Sequence, residues 1–79
     1  MSKLDSSLRD YLKQCIKNNE KICGYKFYKE YAGNVMSPVI EKNNEIQHIG
    51  SLDNFISYLE MHHWQELKNK INNELGEIL

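Results

Sequence analysis

KICGYKFYKEYAGNVMSPVIEKNNEIQHIG, residues 21–50, is the stretch whose reading decides the fold. In it Cys23, Tyr25 and Phe27 alternate with Gly24, Lys26 and Tyr28, the period of two that marks a half-buried strand. Tyrosine and phenylalanine suit a pleated surface. The pattern predicts a strand over 21–31, with Cys23 on the Phe27 face. Ala32-Gly33-Asn34 supplies a turn, since Gly and Asn tolerate positive φ. A second strand is expected over 35–41. Pro38 cannot donate to a ladder, so this strand should be an edge at that point. Lys42-Asn43-Asn44-Glu45 reads as a hairpin turn, and Glu45–Ile49 as the third strand. A two-residue Asn-Asn loop sets Ile40 opposite Gln47; a three-residue loop with a bulge sets it opposite Ile46. The second gathers the apolar residues on one face and is the expected register.

Helical patterns flank the strands. Over residues 4–17, Leu4, Leu8, Tyr11, Leu12, Cys15 and Ile16 fall within an arc of about 140°. Ser2 is the expected N-cap, Asp5 sits at the positive helix end, and Asn18-Asn19 is a stop signal. After Gly50, Ser51 is an N-cap with Asp53 in the first turn. The apolar face then moves. Leu52, Phe55, Ile56 and Leu59 centre on one direction, and Trp64, Leu67, Ile71, Leu75 and Ile78 on another about 110° away. A straight helix cannot bury both stripes against one sheet. The last helix is therefore expected to bend or split near His62-His63. The predicted architecture is an α+β, α-β-β-β-α two-layer domain, a three-stranded antiparallel sheet packed against helices.

Composition sets bounds. The 79 residues are 41% hydrophobic and 27% charged, proportions of one globular domain, expected to span 1–79. A chain this short has a thin core and little room for an enclosed active site. The formal charge is −1, unlike the basic balance common in nucleic-acid binders. Residues 1–31 carry seven Lys/Arg and four Asp/Glu, whereas residues 32–79 carry three and seven. The N-terminal segment shows no signal-peptide core, and no apolar run approaches the roughly 18 residues of a membrane span. Two cysteines are too few for a secreted disulfide scaffold. The expected compartment is the cytoplasm, that of a host if the gene belongs to a phage. Nine Asn, eight Ile and one Pro point to AT-rich codons, such as those of a low-GC bacterium, its phage or plasmid, or an AT-rich protist.

No chemistry-bearing motif is present. The four glycines form no phosphate-binding loop and no nucleophile elbow. Cys15, Cys23, His48, His62 and His63 lack the close pairs of zinc sites, so no metal and no cofactor is expected. A Cys23–His48 nucleophile pair needs an accessible, electropositive thiolate, and Cys23 reads instead as a buried, inert residue. Glu66, Glu74 and Glu77 lie among Lys68 and Lys70 as on a solvated helix face, with Glu66–Lys70 a favourable i,i+4 pair. Lysines interleave with aromatics in the first strand. Lys26 and Tyr28 share the face opposite Tyr25 and Phe27, an arrangement able to stack a base and hold a phosphate.

In element order, the chain resembles the double-stranded RNA-binding domain. That family places lysines at the start of its final helix. Here Ser51–Tyr58 carries no basic residue, so the resemblance stops at topology.

The expectation is a non-enzymatic module that binds another protein, self or foreign. It would be a small regulator or inhibitor, encoded in a phage or mobile element of a low-GC bacterium. Its interface is expected at Trp64, Leu67, Ile71, Leu75 and Ile78, because a thin core has little to offer a second apolar stripe. The alternative is a nucleic-acid-binding domain using the Lys26/Tyr28 face.

Overall fold

The computed structural model describes residues 3–79, so the expected Ser2 cap lies outside the described residues. The order is α1 (Ser6–Lys17), β1 (Lys26–Ala32), β2 (Val35–Lys42), β3 (Glu45–His48), α2 (Leu52–His62) and α3 (Trp64–Leu75). This is the expected α+β layout with the last helix split in two. The strands form one antiparallel sheet in the order β1-β2-β3.

Local chemistry explains most boundaries. Asp5 caps α1, its carboxylate accepting the Leu8 N–H at 2.9 Å. At the other end Asn19 takes φ +65°. The Asn19 and Glu20 N–H groups then donate to Ile16 and Cys15 carbonyls, a Schellman closure. Ser51 caps α2 as expected, accepting from Asn54 N–H. The helix breaks at His63, where φ −135° and ψ 35° leave helical values. That one residue redirects the chain between the two apolar stripes.

The strand region departs from expectation at both ends. β1 begins at Lys26 because residues 22–25 form a tight turn. Ile22 and Tyr25 exchange backbone hydrogen bonds of 3.0 and 2.9 Å. Cys23 and Gly24 take φ +53° and +82° at its centre. Cys23 therefore sits in a turn and is half-buried against the core, not in line with Phe27 on a strand. The second hairpin closes with a two-residue loop. Asn43 and Asn44 take φ +54° and +67°, the I′ geometry whose twist matches the flanking strands. Ile40 then faces Gln47, and Ile46 faces Glu41 on the other side of the sheet, half exposed. This corrects the bulged register. Two asparagines able to adopt positive φ outweigh the gain from burying Ile46. Pro38 lies just beyond the last β2–β3 pair, Val39 with His48, and only its carbonyl is used, accepting from Ile49 N–H. The expected edge is corrected: β2 is the central strand, with Lys29 opposite Pro38 on one side and Ile49 bonded to its carbonyl on the other. The missing N–H falls on the β3 side, where the ladder ends.

One core joins all layers. Leu4, Leu8, Leu12, Cys15 and Ile16 from the N-terminal helix region meet Ile40 from the sheet. Ile22 joins from the turn before β1, and Phe55, Ile56, Leu59, Leu67 and Ile71 from the last two helices. Phe55 receives Phe27 in a stacked contact, with centroids 5.7 Å apart, and Tyr25 edge-on at 6.2 Å. Arg9 ties α1 to α2, donating to the buried Glu60 carboxylate at 3.0 Å and to Asp53 O at 3.2 Å. No described helix is long and apolar enough to cross a membrane.

Candidate interaction surface

The structure divides the five expected interface residues. Leu67 and Ile71 are fully buried in the domain's own core. The break at His63 turns α3 so that its central stripe joins Leu4, Leu8 and Leu12 instead of facing outward. The expectation that this stripe forms an interface is corrected there: the thin core does have room for it. Trp64 is half-buried, with the Lys3 ammonium 4.8 Å from its ring centroid. Only Leu75 and Ile78 stand out, 42% and 53% exposed. They flank a tail folded back by Asn72, whose side chain accepts from Leu79 N–H and donates to its carbonyl.

A larger apolar surface lies on β1 and β2. β3 pairs only with residues 39–42, so the rest of the β1–β2 hairpin continues as a two-stranded ribbon. Residues 29–36 are exposed without interruption. Gly33 turns the ribbon at φ +64°, a conformation open to glycine. Around the turn stand Tyr31, Val35 and Met36, exposed by 69%, 64% and 44%. Tyr31 pairs with Met36, so both lie on one face, the helix-side face that also carries Phe27 and Pro38. Where the ribbon leaves the body, a groove of about 550 Å³ opens between β1 and the ends of α1 and α2. Ile16, Phe27, Pro38 and Leu52 line it, with Lys17 and Lys29 beside them.

The opposite sheet face carries the Lys26/Tyr28 pair, together as expected, with Lys26 Nζ 5.6 Å from the ring centroid. Val39 is fully buried on this face between its cross-strand neighbours Tyr28 and His48. Register also places Glu30 and Glu41 here. Burial pushes the Tyr28 phenol above its usual range, and the two carboxylates add to the effect. One lysine among two acids is a poor phosphate cradle.

Two further polar clusters lie among the described residues. Tyr25 Oη lies 3.3 Å from Tyr58 Oη and 3.2 Å from His63 Nε2, while His63 Nδ1 is 3.7 Å from Glu66. The hydrogen bond to Tyr58, reinforced by burial, pushes the Tyr25 phenol up to about 12. The phenol thereby joins β1's leading turn to α2 through Tyr58 and to the helix break through His63. Cys15 Sγ, Glu20 and Glu74 lie within 4.8 Å of one another, and the Lys70 ammonium pairs with both carboxylates. Burial first, then Glu20, pushes the Cys15 thiol up. Cys23 and His48 are not brought together: Cys23 lies near Lys42, and His48 at the Val39 end of β3. Burial pushes the Cys23 thiol up to about 11.

The sequence reading missed the ribbon tip and the groove. The available signal was Tyr31, Val35 and Met36 crowding a Gly-Asn turn, where polar residues are usual. Compared with protein families, curated proteins and solved structures, the chain matches none.

Proposed function

We propose that this chain is a non-enzymatic protein-interaction module, a small regulator or inhibitor, acting through the β1–β2 ribbon. The observation that carries the reading is the run of eight exposed residues, 29–36, holding Tyr31, Val35 and Met36 clear of the body. A two-stranded ribbon is marginal in water, and apolar residues at its tip add nothing to the core. Tyr31 and Met36 form a cross-strand apolar pair on one face, with Val35 on the other, and exposed apolar surface grouped in this way often marks an interaction site. The catalytic alternative is the weaker reading: burial raises the Cys23 thiol, the Tyr58 hydrogen bond raises the Tyr25 phenol, and the Glu74 carboxylate is paired with Lys70. Of the originally expected interface, Leu75 and Ile78 remain as an exposed outlying patch.

The test compares tagged wild type with Tyr31→Ser/Val35→Thr/Met36→Ser in co-purification from the native cell, read by quantitative mass spectrometry. A protein retained stoichiometrically by the wild type and lost by the variant, with thermal unfolding unchanged, is the expected outcome. Identical protein sets from both would remove the ribbon from the reading.

A further inference from the structure

The edge of β1 is open over a defined stretch. The Pro38 carbonyl accepts from Ile49, so even-numbered β2 residues direct their backbone groups to β3 and odd-numbered ones to β1. With Val39 opposite Tyr28, the even-numbered residues of β1 bond to β2. Phe27, Lys29 and Tyr31 therefore turn their N–H and C=O groups outward. Among the described residues these groups have no partner beyond the sheet, whereas at Tyr25 the same side is taken by Ile22. The free edge runs from Phe27 to Tyr31.

A second copy of the chain does not fit this edge. Hydrogen-bonded and non-bonded pairs alternate in an antiparallel ladder, so a two-fold axis must set one residue against its own copy. Centring on Phe27 or on Tyr28 brings Lys29 or Tyr31 to the place beside Tyr25 that Ile22 holds. Centring on Lys29 opposes two ammonium groups, and centring on Glu30 opposes two carboxylates, both destabilising. Centring on Tyr31 runs the ladder off the turn at Gly33. Lys29 and Glu30 are the charges by which edge strands resist self-pairing.

A foreign strand of complementary charge meets none of these obstacles. Lys17 and Lys29 are exposed beside the groove and make no ion pair among the described residues. Between them lie Ile16, Phe27, Pro38 and Leu52. A strand added to β1 sends alternate side chains toward that groove. We infer that the free edge of β1 and the groove beside it take an extended peptide segment of another protein as an added strand. The segment carries apolar side chains at alternate positions and an Asp or Glu placed to meet Lys29 or Lys17. This rests on the interaction-module reading and names the chemistry of its partner. Main-chain bonds to Phe27, Lys29 and Tyr31 supply affinity, and the groove supplies selectivity.

The probe is a random dodecapeptide display library panned on the folded protein. Enriched sequences are expected to alternate apolar residues with at least one acid. The most enriched peptide, made synthetically, should slow hydrogen exchange at the Phe27, Lys29 and Tyr31 amides. Lys17→Glu/Lys29→Glu should weaken it about tenfold or more, with thermal unfolding retained. No enrichment, enrichment without acids, unchanged exchange at the three amides, or displacement of the peptide by an oligothymidylate overturns the inference. So does a ribbon-dependent cellular partner that the charge-reversed protein still retains, and that outcome leaves the module reading standing.

Discussion

At the scale of single residues, burial separates side chains that one periodic pattern had grouped. Leu67 and Leu75 belong to the same stripe, yet only Leu67 is in the core. Leu67→Ala is expected to destabilise by about 2–5 kcal/mol. Whole-chain stability at this size is about 4–12 kcal/mol, so the loss is severe. Leu75→Ala should cost under about 0.5 kcal/mol. Chemical denaturation of the two variants checks this; equal losses would put α3 in the wrong orientation. Titration gives a second prediction. Cys23 rises from 9.0 to about 11 and Tyr25 from 10.0 to about 12 on folding. Between about pH 9 and 12 the folded state keeps protons that the unfolded state has released. The stability these groups contribute is intact below pH 9 and declines as pH rises through that window. Cys23→Ala/Tyr25→Phe should flatten the alkaline fall in melting temperature. At pH 8 about one Cys23 in a thousand is thiolate, so a thiol reagent should label the native protein about a hundredfold slower than the unfolded chain.

At the scale of elements, what was legible were the signals written in neighbouring residues. The Ser51 cap, the Asn18-Asn19 stop and the stripe rotation at His62-His63 each depend on contacts within a few positions, and each appears as read. The beginning of β1 and the β2–β3 register were not legible. Both turn on whether Cys23, Asn43 and Asn44 accept positive φ, an energy set partly by what the rest of the chain gains. The destination of the second stripe was hidden for a similar reason. Only the docking of α1, fixed by Arg9 on the buried Glu60, shows that Leu67 and Ile71 have a core to enter. Edge protection is an element-scale property too. Lys29 guards the free edge, so the wild type should run as a monomer at micromolar concentration. Lys29→Val should create concentration-dependent self-association, visible by sedimentation velocity; a Lys29→Val protein that stays monomeric at high concentration counts against the guard.

At the scale of the whole molecule, charge bears on the proposal of a protein partner over a nucleic acid. The net charge is −1, and the sheet face bearing Lys26 and Tyr28 also carries Glu30 and Glu41. Nucleic-acid affinity is built largely from phosphate contacts with Lys and Arg. No submicromolar binding to duplex or single-stranded nucleic acid is expected near physiological salt; a salt-sensitive gel shift at nanomolar protein would reverse that ranking. The order β1-β2-β3 has a further consequence, which concerns time. Each strand pairs with the next in sequence across a two-residue loop, and α2 meets α3 across a single residue. Pairing within the sheet and between the last two helices is therefore reached by a short diffusive search. The long closures bring α1 and β1 onto α2 and α3, as in Arg9 on Glu60, 51 positions apart, and Tyr25 on His63, 38 apart. A chain with this mixture of local pairing and long closures folds on about the millisecond scale, its rate set by how soon the locally formed sheet, the last helix pair and the N-terminal helix find one another.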